Sequence, residues 1–178
     1  MGKILLIILF LLLPSYILYL IILYLKTKVP YVLTPKKYFP IIFKNLEINS
    51  ETIIYDLGCG NGDFLFAAEK LGPKKLVGFE LSPWHFLLGK IKAKILKSKA
   101  EIYLKDFFKV DISQADIIYL FLVESMVIKL WPKIKKEAKP GATVAILSNS
   151  IPGVEYAKII KTNINKNSKS RLYIYKIK

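Results

Sequence analysis

From residue 51 onward, short apolar runs alternate with longer helix-patterned ones, and that alternation admits few architectures. Thr52–Leu57, Leu76–Leu81, Glu101–Leu104, Asp116–Val123 and Ala142–Ser148 read as five strands. Runs such as IIYLFL lack polar alternation, which suits a parallel sheet covered on both faces. Between them Asp63–Leu71 reads as a helix stopped by Gly72-Pro73. Pro83–Lys97 reads as a second, with Trp84, Leu87, Leu88, Ile91 and Ile95 on one stripe, the pattern of a core-facing side, and lysines on the other. Ser125–Lys136 is a third, expected to bend at Pro132 and closed by Lys139-Pro140-Gly141. Residues 155–162 and Arg171–Ile177, separated by the turn-forming Asn163–Ser170, read as a terminal antiparallel hairpin, although 155–162 fits a helix equally well. Upstream, Thr34-Pro35 resembles an N-cap with proline at the first helical position. The helix it would open, about Pro35–Asn45, would bury Tyr38, Ile41, Ile42 and Leu46, while Pro40 argues against a long regular one. The fold class is α/β, a mainly parallel sheet with a C-terminal antiparallel hairpin.

A different feature dominates the N-terminus. Ile4–Leu25 carries no charge and is interrupted only by Pro14 and Ser15. As a helix it would reach roughly 33 Å, against a hydrocarbon thickness of about 30 Å. A cleaved signal peptide would have a shorter apolar core and small residues at its end, and this run ends in Tyr24, Leu25 and Lys26. A buried core helix would show a polar face, which this run lacks. The expectation is a single transmembrane helix with the lipid bilayer as its partner. Lys26, Lys28, Lys36 and Lys37 outnumber Lys3 and the α-amine, so the positive-inside tendency puts the rest of the chain in the cytoplasm. The expected organisation is an anchor at 1–27, a linker and lead-in helix at 28–50, and a catalytic domain at 51–178.

The net charge is +15, with Arg171 the sole arginine. A basic surface can lie on anionic lipid, contact nucleic-acid phosphates or simply be solvated. Arginine is the preferred residue for bidentate phosphate recognition, so its near absence weakens the nucleic-acid reading. One cysteine, Cys59, rules out an internal disulfide and a cysteine metal cluster, and a single His85 supplies no histidine-rich metal site.

The strongest site signal is Asp56-Leu-Gly58-Cys-Gly60-Asn-Gly62-Asp63, directly after a strand and opening a helix. Glycines there let the backbone turn tightly and approach a ligand. The dinucleotide fingerprint would need a glycine at 63, where Asp63 stands, and an acid there repels a pyrophosphate. Asp56, Asp63, Glu80 and Asp106 all fall at or just past strand ends, which share one edge in a parallel sheet. An acid-lined crevice suits S-adenosylmethionine, which carries a sulfonium and an ammonium and no phosphate.

IIYDLGCGNG resembles motif I of the Rossmann-like (class I) methyltransferases, VGFELS their second motif, KDFFKVD the segment after strand three and AKPGATVAIL the strand-five region. YVLTPKK, DLGCGNGDFLFAAEKLG, GFELSPW, KDFFKVDISQADIIYLFL, KPG and IPG, behind an apolar N-terminus, resemble a membrane-anchored protein-lysine methyltransferase family. Its mitochondrial members modify the adenine nucleotide carrier and the c-subunit of ATP synthase. The resemblance implies a set of cofactor contacts. Gly58, Gly60 and Gly62, with Asn61 among them, would wrap the methionine portion and ribose. Asp56 would orient the loop or reach the ammonium through water, and Glu80 would accept both ribose hydroxyls. Leu81 would pack on adenine, Asp106 would accept its amino group, and Phe107 would lie beside the ring. Plainer readings stand beside these. Asp106 fits a cap of the next turn, Phe107 a core residue, Cys59 a space-filler and His85 a surface or packing residue.

Methyl transfer needs mainly alignment, and a lysine acceptor must first lose a proton. Glu124, just past strand four, is the candidate acceptor-side contact, with a helix N-terminal acid as the equal alternative. YLFLVES stands where many adenine and glutamine methyltransferases carry Asn-Pro-Pro-Tyr, which disfavours base or amide methylation. The expected function is N-methylation of lysine in a membrane-associated protein. The rivals are methylation of a lipid or quinone, and a non-catalytic cofactor-binding scaffold.

Overall fold

The computed structural model describes residues 10, 13–19, 21–22, 25, 32–162 and 170–178. Residues 1–31 and 32–178 form two compact units. Among the described residues no helix is long and apolar enough to cross a membrane. This overturns the expected single-pass membrane location and leaves the expected transmembrane helix and its bilayer partner without support. The lysine-based orientation loses the span it needed. Residues 4–9, 11–12, 20 and 23–24 of the Ile4–Leu25 run lie outside the described residues.

In the second unit seven strands form one sheet. They are β1 (Ile53–Leu57), β2 (Lys75–Glu80), β3 (Glu101–Leu104), β4 (Ile117–Leu120), β5 (Thr143–Leu147), β6 (Lys158–Lys161) and β7 (Arg171–Lys176). Their order is β3-β2-β1-β4-β5-β7-β6. β1 to β5 pair in parallel, and β7 runs antiparallel to β5 and β6. The expected terminal hairpin is therefore present, and Lys158–Lys161 is strand rather than helix. Every residue of β4 and β5 is buried, which is why their sequences show no polar alternation.

Period-two alternation sorts the core into two layers. Ile54, Ile117, Tyr119 and Leu147 face one side, covered by α1 (Phe39–Lys44) and α2 (Asp63–Ala68). Leu57, Ile118, Leu120 and Ile146 face the other, covered by Val127, Leu130 and Ile134 of α4 (Glu124–Glu137). Pro132 sits inside α4 without ending it.

Two expectations change here. The lead-in helix does not start at Pro35. A 3-10 turn at Lys36–Tyr38 comes first, and α1 begins at Phe39 with Pro40 in its first turn, where a missing N–H costs nothing. Thr34 caps no helix, because its hydroxyl bonds Tyr119 at 2.9 Å. The second change is the roll of α3 (Pro83–Leu96). Its buried residues are His85, Gly89 and Ala93, while Trp84, Leu87, Leu88, Ile91 and Ile95 are 37–74% exposed. A Cβ on Gly89 would lie 2.9 Å from Cδ1 of Ile102 and 3.4 Å from the Asn61 backbone. The helix packs so close to the sheet and glycine turn that only small residues fit beneath it at that point.

Candidate active site

The site is built where β1 and β2 end. Gly58, Gly60 and Gly62 all have positive φ, at 90°, 55° and 81°. These are left-handed conformations in which a side chain is strained, so the glycine spacing is a backbone requirement. The N–H groups of Gly58 and Cys59 donate to the Phe79 carbonyl at 2.9 and 3.1 Å, and that of Gly62 to the Cys59 carbonyl at 2.9 Å. A Cβ on Gly78 would stand 2.5 Å from Cys59 Sγ, so this β2 glycine, which the motif reading passed over, gives the turn its room.

Glu80, the last residue of β2, closes the turn. Its Oε2 accepts from the Gly60 N–H at 2.8 Å and its Oε1 from the Ser82 N–H at 2.7 Å. Asp56 is 4% exposed on the neighbouring strand. Burial pushes its carboxyl well above the usual range, and the Glu80 charge adds to the shift. Burial raises Glu80 too, opposed by N–H donation from Ser82, Gly60 and Leu81. Burial, then Asp56 and Glu80, hold the Cys59 thiol well up, so it fills space and is no thiolate nucleophile. The cleft edge thus concentrates carboxyl groups whose ionised form a cationic ligand would favour.

The other expected residues are placed as follows. Asn61 Oδ1 accepts from the Asp63 N–H at 3.2 Å, and Leu81 is 45% exposed beyond Glu80. Asp63 belongs to the first turn of α2 and pairs with Lys92 of α3, which turns it away from a role as a strand-end acid. Asp106 caps the turn at Phe107–Lys109 by accepting from the Phe108 N–H at 2.9 Å, and Phe107 is buried with Leu57 and Leu122. The plainer readings of both residues describe contacts they make. Glu124 is the exposed first residue of α4, just after β4 leaves the sheet. His85 is buried, and burial lowers its pKa, so it packs as neutral imidazole.

Sequence reasoning missed three residues around the end of β4. Asn149 Nδ2 donates to the Leu122 carbonyl at 2.6 Å, fixing the segment that leads to Glu124. Tyr119, stacked on Phe64 at 3.8 Å between centroids, meets the Thr34 hydroxyl. Thr34 stands in the YVLTPKK segment, but no local pattern announces a partner 85 residues away.

The ANTKMT methyltransferase domain matches residues 56–158 of this chain. A protein-lysine N-methyltransferase of Saccharolobus islandicus is 34% identical over 152 residues, covering 84% of this chain and 94% of that protein. This chain belongs to the ANTKMT methyltransferase family. The human lysine N-methyltransferase of the ATP synthase c-subunit is 30% identical over 121 residues, 67% of this chain and 51% of that protein. The chain therefore spans about half of that relative's length. An RNA methyltransferase of Salinibacter ruber, solved with S-adenosyl-L-homocysteine, shares the fold at a TM-score of 0.75 and 25% identity, covering 82% of this chain and 94% of that one. The Rossmann-like fold and the cofactor S-adenosylmethionine follow for this ANTKMT-family enzyme. Its own residues fit that cofactor. A positive-φ glycine turn admits close approach, and two carboxyls raised by desolvation, Asp56 buried and Glu80 half-buried, gain from a cationic neighbour.

Proposed function

We propose that this ANTKMT-family enzyme N-methylates lysine side chains of a protein acceptor, with membrane-associated proteins as the acceptor class. The observation that carries the reading is the clasp of Glu80 on Gly60 beside buried Asp56, a compact carboxyl seat for a cationic methyl donor. The Saccharolobus relative named for protein-lysine methylation, and the mouse adenine nucleotide translocase lysine N-methyltransferase at 32% identity over 91 residues, support the acceptor.

When bound, S-adenosylmethionine supplies a methyl group on a cationic sulfur for in-line attack by an amine. The chain supplies position and charge. Gly58, Gly60, Asn61 and Gly62 would hold the methionine and ribose portions, and Asp56 would favour the ammonium. Glu80 keeps a second lone pair on each oxygen for ribose hydroxyls. Leu81 and Phe107 would flank adenine, and Asp106 would accept from its amino group. Glu124, exposed at the start of α4, contacts the acceptor lysine. Lysine must lose a proton because its ordinary pKa is about 10.4.

The test is purified enzyme with radiolabelled methyl donor and a membrane extract. Acid-stable label recovered as methyl-lysine is expected. Label confined to RNA, lipid or quinone would reject the lysine acceptor.

A further inference from the structure

We infer that the outward face of α3 docks an apolar, carboxylate-flanked helix of the acceptor protein, an inference that rests on the protein-lysine reading above. Leu87, Leu88, Ile91 and Ile95 form the stripe, at 49%, 37%, 48% and 74% exposure. Surface helices ordinarily turn such a stripe to the core. Here the face toward the sheet belongs to Gly89, Ala93 and His85, and the 2.9 Å clearance at Gly89 leaves no room for larger side chains at that point. The outward orientation is therefore set by packing. Contiguous exposed apolar surface of this kind marks an interaction site.

An open groove of about 580 Å³ runs along one flank of the stripe, lined by Lys90, Ile91, Lys94 and Lys97. Among the described residues none of these three lysines forms an ion pair. On the opposite flank Lys92 is paired with Asp63, so the unneutralised charge lies on one side only. Lys90 and Lys94 are one turn apart, about 6 Å along the axis, which is the spacing of carboxylates at i and i+4 on a partner helix. A ridge of aliphatic side chains beside a basic groove matches helix-in-groove recognition better than it matches a flat lipid surface. A second copy of the chain, at net charge +15, would bring lysines against lysines. Leu81, exposed directly after Glu80, lies just before the helix, so a helix seated on α3 meets the rim of the cofactor crevice. The docked segment delivers its lysine there.

The experiment uses the full chain and two synthetic peptides of equal length, each with one acceptor lysine near its end. One carries a leucine stripe flanked by glutamates at i and i+4, and the other has those leucines replaced by glutamine. The wild type is expected to show at least a tenfold lower KM for the leucine peptide, with similar kcat. Leu88→Ser/Ile91→Ser abolishes that difference and leaves the glutamine peptide within twofold. Lys90→Glu/Lys94→Glu raises KM for the glutamate-flanked peptide and lowers it for a lysine-flanked version. This second variant serves if the first fails to fold. Equal KM for both peptides in the wild type overturns the docking surface alone. Absence of methyl-lysine in both peptides and in every protein of an extract overturns the acceptor reading, and docking with it. Co-sedimentation with phosphatidylserine vesicles, or self-association by light scattering, that Leu88→Ser/Ile91→Ser removes while the KM difference stays assigns the stripe elsewhere and overturns the proposal.

Discussion

The Gly60 N–H and the Glu80 carboxylate meet at 2.8 Å, and the same carboxylate takes the Ser82 N–H at 2.7 Å. One side chain thus ties the glycine turn to the N-terminus of α3, which Ser82 caps. Hydrogen bonds to a charged group are worth about 1.5–3 kcal/mol each. Glu80→Ala is expected to weaken S-adenosylmethionine binding at least about tenfold by calorimetry. Glu80→Gln keeps an acceptor oxygen without the charge and falls between. Unchanged affinity in the alanine variant would remove Glu80 from the site.

The raised carboxyls of Asp56 and Glu80 give a signed pH dependence. Between the unfolded carboxylate value, about 4, and the raised folded values, the native protein holds protons that the unfolded chain has released. Stability of the protein alone is therefore fully present below that window and falls as pH rises through it. A cationic donor favours the ionised carboxylates, so its binding releases protons and tightens with pH across the same window, by up to about tenfold per unit for each proton released. Calorimetry in buffers of different ionisation enthalpy measures the release. Asp56→Asn is expected to flatten the dependence and to raise the melting temperature near neutral pH. A pH-independent affinity in the wild type would contradict this account.

The sheet was readable because β4 and β5 are buried on both faces, and a doubly covered strand must be apolar throughout. The glycine turn was readable because three positive-φ positions demand glycine locally. The roll of α3 was not, since periodicity defines a stripe but not which side meets the sheet. The usable signal was Gly89 and Ala93, small residues one turn apart opposite the aliphatic stripe. The Ile4–Leu25 run misled for a related reason. Hydropathy reports transfer free energy, and among the described residues no helix is long and apolar enough to cross a membrane. Asn149 and Thr34 were out of reach, because each bonds a residue brought near by the crossover connections.

Gly78 is a stability hinge for the glycine turn. A Cβ there would meet Cys59 Sγ at 2.5 Å and Leu65 Cδ1 at 2.7 Å. Overpacking of this kind costs about 1–3 kcal/mol, so Gly78→Ala should lower the melting temperature by roughly 3–10 °C. Cys59→Ala removes the nearest atom, and the double variant should recover part of the loss. If the two changes merely add in thermal denaturation, the thiol is not the obstructing group.

Tyr119 links the sheet to the segment before α1. Its ring is 1% exposed and stacks on Phe64, and burial pushes its phenol far above the ordinary range, so the hydroxyl stays protonated at every working pH. Thr34 Oγ1 at 2.9 Å is the partner that satisfies it. Thr34→Val strands that hydroxyl and should cost about 1–3 kcal/mol, the penalty of an unsatisfied buried polar group. Tyr119→Phe removes the hydroxyl itself and should cost less. The two variants together should be little worse than Tyr119→Phe alone, giving a coupling of about 1 kcal/mol in a double-mutant cycle from urea denaturation. Strict additivity would show that the two hydroxyls stabilise the fold independently. The segment carrying Thr34 would then be held to the sheet by α1 packing through Phe39 and Ile42, and not by this bond.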